Sequence, residues 1–114
     1  MASERSALDH VFHALSDPTR RAVVARLVKG AATVKELAEP FPMALPSFLK
    51  HIDVLENSRL ITCNKRGRVR ICTLDREALN VAEQWFGEQS RIWQSRYTNL
   101  DGLLQNLDKK KNGS

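Results

Sequence analysis

A mainly α fold carrying one two-stranded β-hairpin is what this sequence predicts, and three observations predict it. Apolar residues recur at helical spacing in four short runs and one long one. The period changes once, between Leu60 and Leu74, where β-branched and apolar residues flank Lys65-Arg66-Gly67. Proline and capping residues fall between the runs rather than inside them. The expected order is α-α-α-α-β-β-α.

Each element has its own local cause. Leu8, Val11, Phe12 and Leu15 share one face of a helix from about Arg5 to Leu15. Ser16-Asp17-Pro18 then breaks the chain, with Asp17 a good N-cap and Pro18 a good first helical residue. A second helix runs through Ala22, Val23, Leu27 and Val28, and Gly30 closes it as the left-handed residue after its end. Thr33 followed by Glu36 is a capping box, so a third helix starts at Val34. Pro40 and Pro42 stop it by Glu39. A fourth restarts near Leu45, with Pro46 in its first turn. Phe48, Ile52 and Leu55 form its apolar stripe, and Ser47, Lys50, Asp53 and Val54 fall on the far side, with His51 at the margin.

Two short helices joined by a five-residue corner, the second with a polar outer face, make a helix-turn-helix. The second helix is then the one suited to a DNA major groove. The hairpin behind it is a wing, with strands at Leu60–Asn64 and Arg68–Leu74. If its turn centres on Arg66-Gly67, Cys63 faces Arg70 and Cys72 faces Ile61. Asp75 caps a last helix from Arg76 to about Leu107. A helix of about thirty residues is ~45 Å long. Ala78, Ala82, Trp85, Ile92, Arg96, Leu100, Leu103 and Leu107 approximate one stripe, which Phe86 and Trp93 widen. Such a rod calls for a partner, and a second copy of the chain is the expected one. Gly87 weakens its middle and marks a kink or a close backbone approach.

Bulk properties set the frame. A chain of 114 residues fits a single domain, placed at 1–108, with 109–114 as a disordered basic tail. Apolar content of 42% is slightly low for a self-sufficient globule, which again favours an oligomer. The net charge of +5 invites a polyanionic partner. Three of the lysines sit in the tail, however, and the remaining fifteen basic residues against thirteen acidic leave only +2. Local clustering has to carry the argument. The first ten residues lack an apolar core segment, so no signal peptide is expected, and nothing is long and apolar enough to span a membrane. A cytoplasmic protein with Cys63 and Cys72 as free thiols follows.

Candidate sites follow from the same residues. On the fourth helix, Leu45, Ser47, Lys50 and His51 are positioned to meet DNA, with lysine able to pair with guanine. On the wing, Lys65, Arg66, Arg68 and Arg70 put four positive charges into six residues, each able to neutralise a phosphate. Arg20 and Arg21 suit either phosphate contacts or pairing with Asp17 and Glu36, and the structural reading is preferred. Asp53 would repel phosphate and lies outside the contact surface. Leu8, Val11 and Phe12 of the first helix, with Trp85, Ile92, Trp93, Leu100 and Leu103 of the last, are the candidate dimer interface. His10 and His13, three apart with Asp9 adjacent, read as surface or interface residues rather than metal ligands. Trp85, Phe86, Trp93 and Tyr97 read as dimer core rather than as an effector pocket. There is no Gly-rich phosphate loop, nucleophile motif or zinc set, so neither an enzyme nor a cofactor is expected.

The sequence resembles the ArsR/SmtB family of bacterial winged-helix regulators over about Leu8 to Leu104. The resemblance is carried by Ala14-Leu15-Ser16-Asp17-Pro18-Thr19-Arg20-Arg21, by Thr33 to Leu37, by Leu45-Pro46-Ser47-Phe48-Leu49-Lys50-His51, by Val54-Leu55-Glu56 and by Gly67-Arg68-Val69-Arg70. It implies a homodimeric repressor that clasps itself through its first and last helices and binds an imperfect palindrome near a promoter. Many such proteins release DNA on binding a metal or on thiol oxidation. This chain has Glu36-Leu37-Ala38-Glu39-Pro40-Phe41 where metal-sensing members carry paired cysteines, and no histidine after His51, so the metal-sensing sites are not matched. Leu49 also departs from the serine many members have there. The competing reading is a dimeric protein-interaction module on the same scaffold. A small-molecule or redox effector is compatible with either.

Overall fold

The computed structural model describes residues 4–112. The elements in order are α1 (Glu4–Leu15), α2 (Pro18–Val28), β1 (Ala32–Thr33), α3 (Val34–Ala38), α4 (Leu45–Asn57), β2 (Ile61–Arg66), β3 (Val69–Leu74) and α5 (Arg76–Asn112). Contacts divide the chain into two units, Met1–Ala82 and Glu83–Ser114. None of its described helices is long and apolar enough to cross a membrane.

The first unit is built around one core. Val11 and Ala14 of α1, Val23, Val24 and Leu27 of α2, Leu37 of α3, and Phe48, Ile52 and Leu55 of α4 are buried together with Leu60, Ile61 and Cys72. Ala32 joins them from β1, and Ala78 and Ala82 from the start of α5. In α2 the buried face is Val23, Val24 and Leu27, whereas Val28 is 65% exposed and Ala22 is exposed. The expected stripe was therefore rotated. Val24 rather than Val28 completes it, because an eleven-residue helix with four valines and leucines allows more than one phase. Val54, expected on the outer face of α4, is half-buried and packs against the core.

The helix ends follow their predicted chemistry. Asp17 accepts from the Arg20 amide (3.0 Å) and Pro18 opens α2. Thr33 Oγ1 accepts from the Glu36 amide (3.0 Å) while Glu36 Oε1 accepts from the Thr33 amide (3.0 Å), a complete capping box. Gly30 takes a φ of 144° after α2, a region glycine enters without penalty. Asp75 Oδ1 accepts from the Glu77 amide (2.9 Å) at the start of α5.

The sheet has three strands, not two, in the order β1-β3-β2, all antiparallel. β1 escapes the sequence because two residues carry no period. Ala32 pairs with Cys72 and Thr33 with Ile71. The hairpin register also differs from the expected one. Arg66 pairs with Val69, so the turn is Gly67-Arg68. Gly67 has a φ of 63°, and Arg59 is the sole non-glycine described with positive φ, which leaves Arg68 at negative φ. Glycine with positive φ at the first central position is the type II′ pattern, whose twist matches the flanking strands. This moves the turn by one residue and brings Cys63 directly opposite Cys72, with Cα atoms 4.0 Å apart, joined as a disulfide. The expectation of two free thiols, out of register, is corrected accordingly.

In the second unit α5 is helical through Gly87 and on to Asn112, beyond the expected end near Leu107. No proline interrupts that stretch. Gly113 and Ser114, the end of the expected tail, lie outside the described residues. A Cβ placed on Gly87 would meet only the tip of the Arg91 side chain at 3.4 Å, so no close backbone approach explains this glycine. Phe86, Ile92, Trp93, Tyr97, Leu100, Leu103, Leu104 and Leu107 are all at least half exposed.

Candidate nucleic-acid interface

Helix α4 is held on its inner side and left open on its outer side. Phe48, Ile52 and Leu55 are fully buried. The Phe41 ring, in the corner between α3 and α4, stacks on Phe48 with centroids 5.6 Å apart and planes 25° from parallel. This fixes the entry of the helix. Leu45, Ser47, Lys50 and Asp53 are exposed, as expected for an outer face. Ser47 and Lys50 bring a hydroxyl and an ammonium to that face. Asp53 is exposed one turn beyond Lys50.

His51 is placed differently from its neighbours. Its ring is 23% exposed, and its Nδ1 lies 3.0 Å from Arg20 Nη1 and 3.7 Å from Asp17 Oδ2. Arg20 also donates from Nε to the Ala14 carbonyl (2.7 Å) and from Nη2 to the His13 carbonyl (3.2 Å). Arg21 Nη1 donates to the Leu15 carbonyl (2.8 Å). The two arginines thus satisfy the last carbonyls of α1, which have no partner within their own helix. Both side chains therefore tie the end of α1 to the start of α2. Their partners are backbone oxygens and His51 rather than the side chains of Asp17 and Glu36.

Two carboxyls around this framework are shifted. Asp17 lies below its ordinary 3.8, first because its oxygen accepts from the Arg20 amide; desolvation opposes this, and the His51 and Arg20 charges assist. Glu36 lies below its ordinary 4.5, chiefly through its bonds with the Thr33 backbone and side chain. Both stay ionised well into mild acid, which keeps both caps formed.

The wing separates its four cations into two kinds. Lys65, Arg66 and Arg68 are exposed around the turn. Arg70 is half-buried and donates from Nη2 to Glu56 Oε1, on the last turn of α4. Arg70 was expected to meet phosphate. In the structure its charge is paired with Glu56, which would otherwise oppose the negative end of the α4 dipole. Sequence reasoning gave no role to Glu56 or Arg59 and missed the pairing of Arg20 with His51. Only the positive φ of Arg59 (66°) marks its role, described below.

Of the expected interface residues, Val11 is 1% exposed and belongs to the core of its own chain. Leu8 and Phe12 are half-buried on α1. Trp85, Ile92, Trp93, Leu100 and Leu103 are 40–70% exposed on α5. Among the described residues no three His, Cys, Asp or Glu side chains come together as a metal site.

The comparisons agree with this geometry. Residues 15–64 match the family described as a helix-turn-helix domain, which spans α2 to β2. The HTH-type transcriptional regulator Rv2034 of Mycobacterium tuberculosis is 34% identical over 104 residues, covering 91% of this chain and 94% of that protein. The transcriptional repressor SdpR of Bacillus subtilis is 31% identical over 78 residues, covering 68% and 87%. The crystal structure of the ArsR family transcriptional regulator RHA00566 superposes with a TM-score of 0.76 at 53% identity, covering 83% of this chain and 98% of that one. Matched over most of its length by these relatives, this chain belongs to the ArsR family of winged helix-turn-helix transcriptional regulators.

Proposed function

We propose that the protein acts in the cytoplasm as a homodimeric repressor, each subunit presenting α4 to a major groove and its wing to the flanking backbone. The observation that carries this reading is the exposed set Ser47, Lys50, Lys65, Arg66 and Arg68. It places cations on both the reading helix and the hairpin turn, free of internal carboxylate partners among the described contacts. Leu45, exposed at the first position of α4, adds an apolar contact suited to a thymine methyl. Two such readers related by a two-fold axis bind half-sites one helical turn apart, about 34 Å, so the operator is an inverted repeat. Occlusion of the promoter then gives repression, the activity named for the relative SdpR.

A gel-shift titration against salt, on selected and random duplexes, tests the reading. Wild type should bind with a steep negative dependence on salt. Replacing Lys65, Arg66 and Arg68 together by glutamine removes three cations from each of two wings and should flatten the slope by up to about 5, whereas Arg70→Gln should change it little. Lys50→Ala should cost about 1–3 kcal/mol on the selected site and less on random DNA, marking a base contact. Absence of binding at low salt leaves the protein-interaction module as the surviving reading.

A further inference from the structure

A guanidinium group carries hydrogen-bond donors and no acceptor. That of Arg20 is tied on two sides, by Nε to Ala14 and by Nη2 to His13, and these bonds fix its plane. Its remaining nitrogen, Nη1, lies 3.0 Å from His51 Nδ1. Because Nη1 can only donate, Nδ1 is the acceptor. A neutral imidazole whose Nδ1 accepts holds its proton on Nε2. The opposite tautomer would need Nδ1 to donate to Asp17, but that oxygen is 3.7 Å away and already accepts from the Arg20 amide at 3.0 Å.

The outer nitrogen is accessible. No buried side-chain nitrogen or oxygen among the described residues lacks a partner, and the bonds described for this ring run through Nδ1. Nε2 therefore reaches solvent. It does so on α4, one turn beyond Ser47 and next to Lys50.

We propose that Arg20 is a positioning residue that sets His51 as a fixed outward donor, a third polar reader on α4. Its partner must then be an acceptor on the nucleic acid: a phosphate oxygen, a purine N7, guanine O6 or thymine O4. The exocyclic amines of adenine and cytosine, which need an acceptor, are rejected. The DNA part of this proposal rests on the function proposed above; the tautomer does not.

Two measurements on the full-length protein test it. Long-range ¹H–¹⁵N correlation of the histidine rings, at a pH near ~8 where imidazole is neutral, should show His51 protonated at Nε2. In Arg20→Gln, whose amide can donate or accept, that preference should weaken. A wild-type ring protonated at Nδ1 overturns the assignment. The second measurement uses the two amides that mimic the two ring nitrogens. His51→Gln carries its NH₂ near the position of Nε2 and should bind DNA within about threefold of wild type. His51→Asn mimics Nδ1 and should lose about tenfold or more. A loss shared by selected and random duplexes makes the acceptor a phosphate; a loss confined to the selected site makes it a base. If wild type binds and His51→Asn binds equally well, this proposal alone falls. If wild type does not bind, it falls together with the DNA-binding function.

Discussion

Asp17 shows how much one residue settles. It caps α2, faces His51 across 3.7 Å, and stands beside the arginine that caps α1. Replacing it by alanine should cost about 1 kcal/mol at neutral pH. Its folded pKa lies below its ordinary value, so the unfolded chain takes up the proton first as acid is added. Its contribution is complete above the ordinary carboxylate range and disappears as pH falls through the lowered folded value. Thermal melts from neutral pH down to about pH 3 should therefore show a steeper acid decline for wild type than for Asp17→Asn, which caps without titrating. Parallel declines would remove Asp17 from the acid response. The cap was legible because it is local: Asp17-Pro18, like Thr33 with Glu36, is a signal spanning four residues or fewer. The side-chain partners of Arg20 and Arg70 were not, since His51 and Glu56 lie 31 and 14 residues away and only the folded chain brings them near.

At the scale of elements, the end of α4 repays attention. Leu60 N–H donates to the Leu55 carbonyl (3.2 Å) and Arg59 N–H to the Glu56 carbonyl (3.0 Å), the two bonds of a Schellman motif. Leu55 and Leu60 supply the accompanying apolar contact, both fully buried, and Ser58 Oγ donates to the Leu55 carbonyl (2.8 Å). The left-handed residue in this motif is Arg59, with a φ of 66°, where glycine is usual. Arg59→Gly should raise stability by about 0.5–1 kcal/mol, read as an increase in the urea midpoint at unchanged slope. A decrease would show that the Arg59 side chain contributes more than its backbone costs. The order and number of helices were legible from spacing and punctuation. The hairpin register was not, because Lys65-Arg66-Gly67-Arg68 allows the turn at two positions, and a shift of one residue changes which side chains meet.

For the whole molecule, the decisive question is what covers the second unit. Phe86, Trp93, Leu100 and Leu107 recur every seven residues and are each more than half exposed. A seven-residue apolar repeat on a long helix is the pattern of helices that pair. Leu100→Asp with Leu103→Asp should convert the proposed dimer to monomer in light scattering coupled to gel filtration. The same variant should bind an isolated half-site normally and lose at least about tenfold on the full inverted repeat. A dimer that survives both changes would place the interface elsewhere. The sequence made the need for a partner visible, because a rod rich in tryptophan and leucine cannot hide its own apolar face. It assigned Val11 to that interface wrongly, since periodicity shows that a residue is covered but not by which chain.

Thr33 belongs at once to the sheet, where it pairs with Ile71 of the wing, and to α3, whose first turn it caps. The hairpin is thereby joined to α3 at Thr33, and Arg70 fastens it to the last turn of α4, which sets the offset between wing and α4. In the proposed DNA-bound state, a duplex whose groove and flank do not match that offset must itself twist or kink to be held. Sequence discrimination is then exercised partly through the stiffness of base steps that no side chain touches.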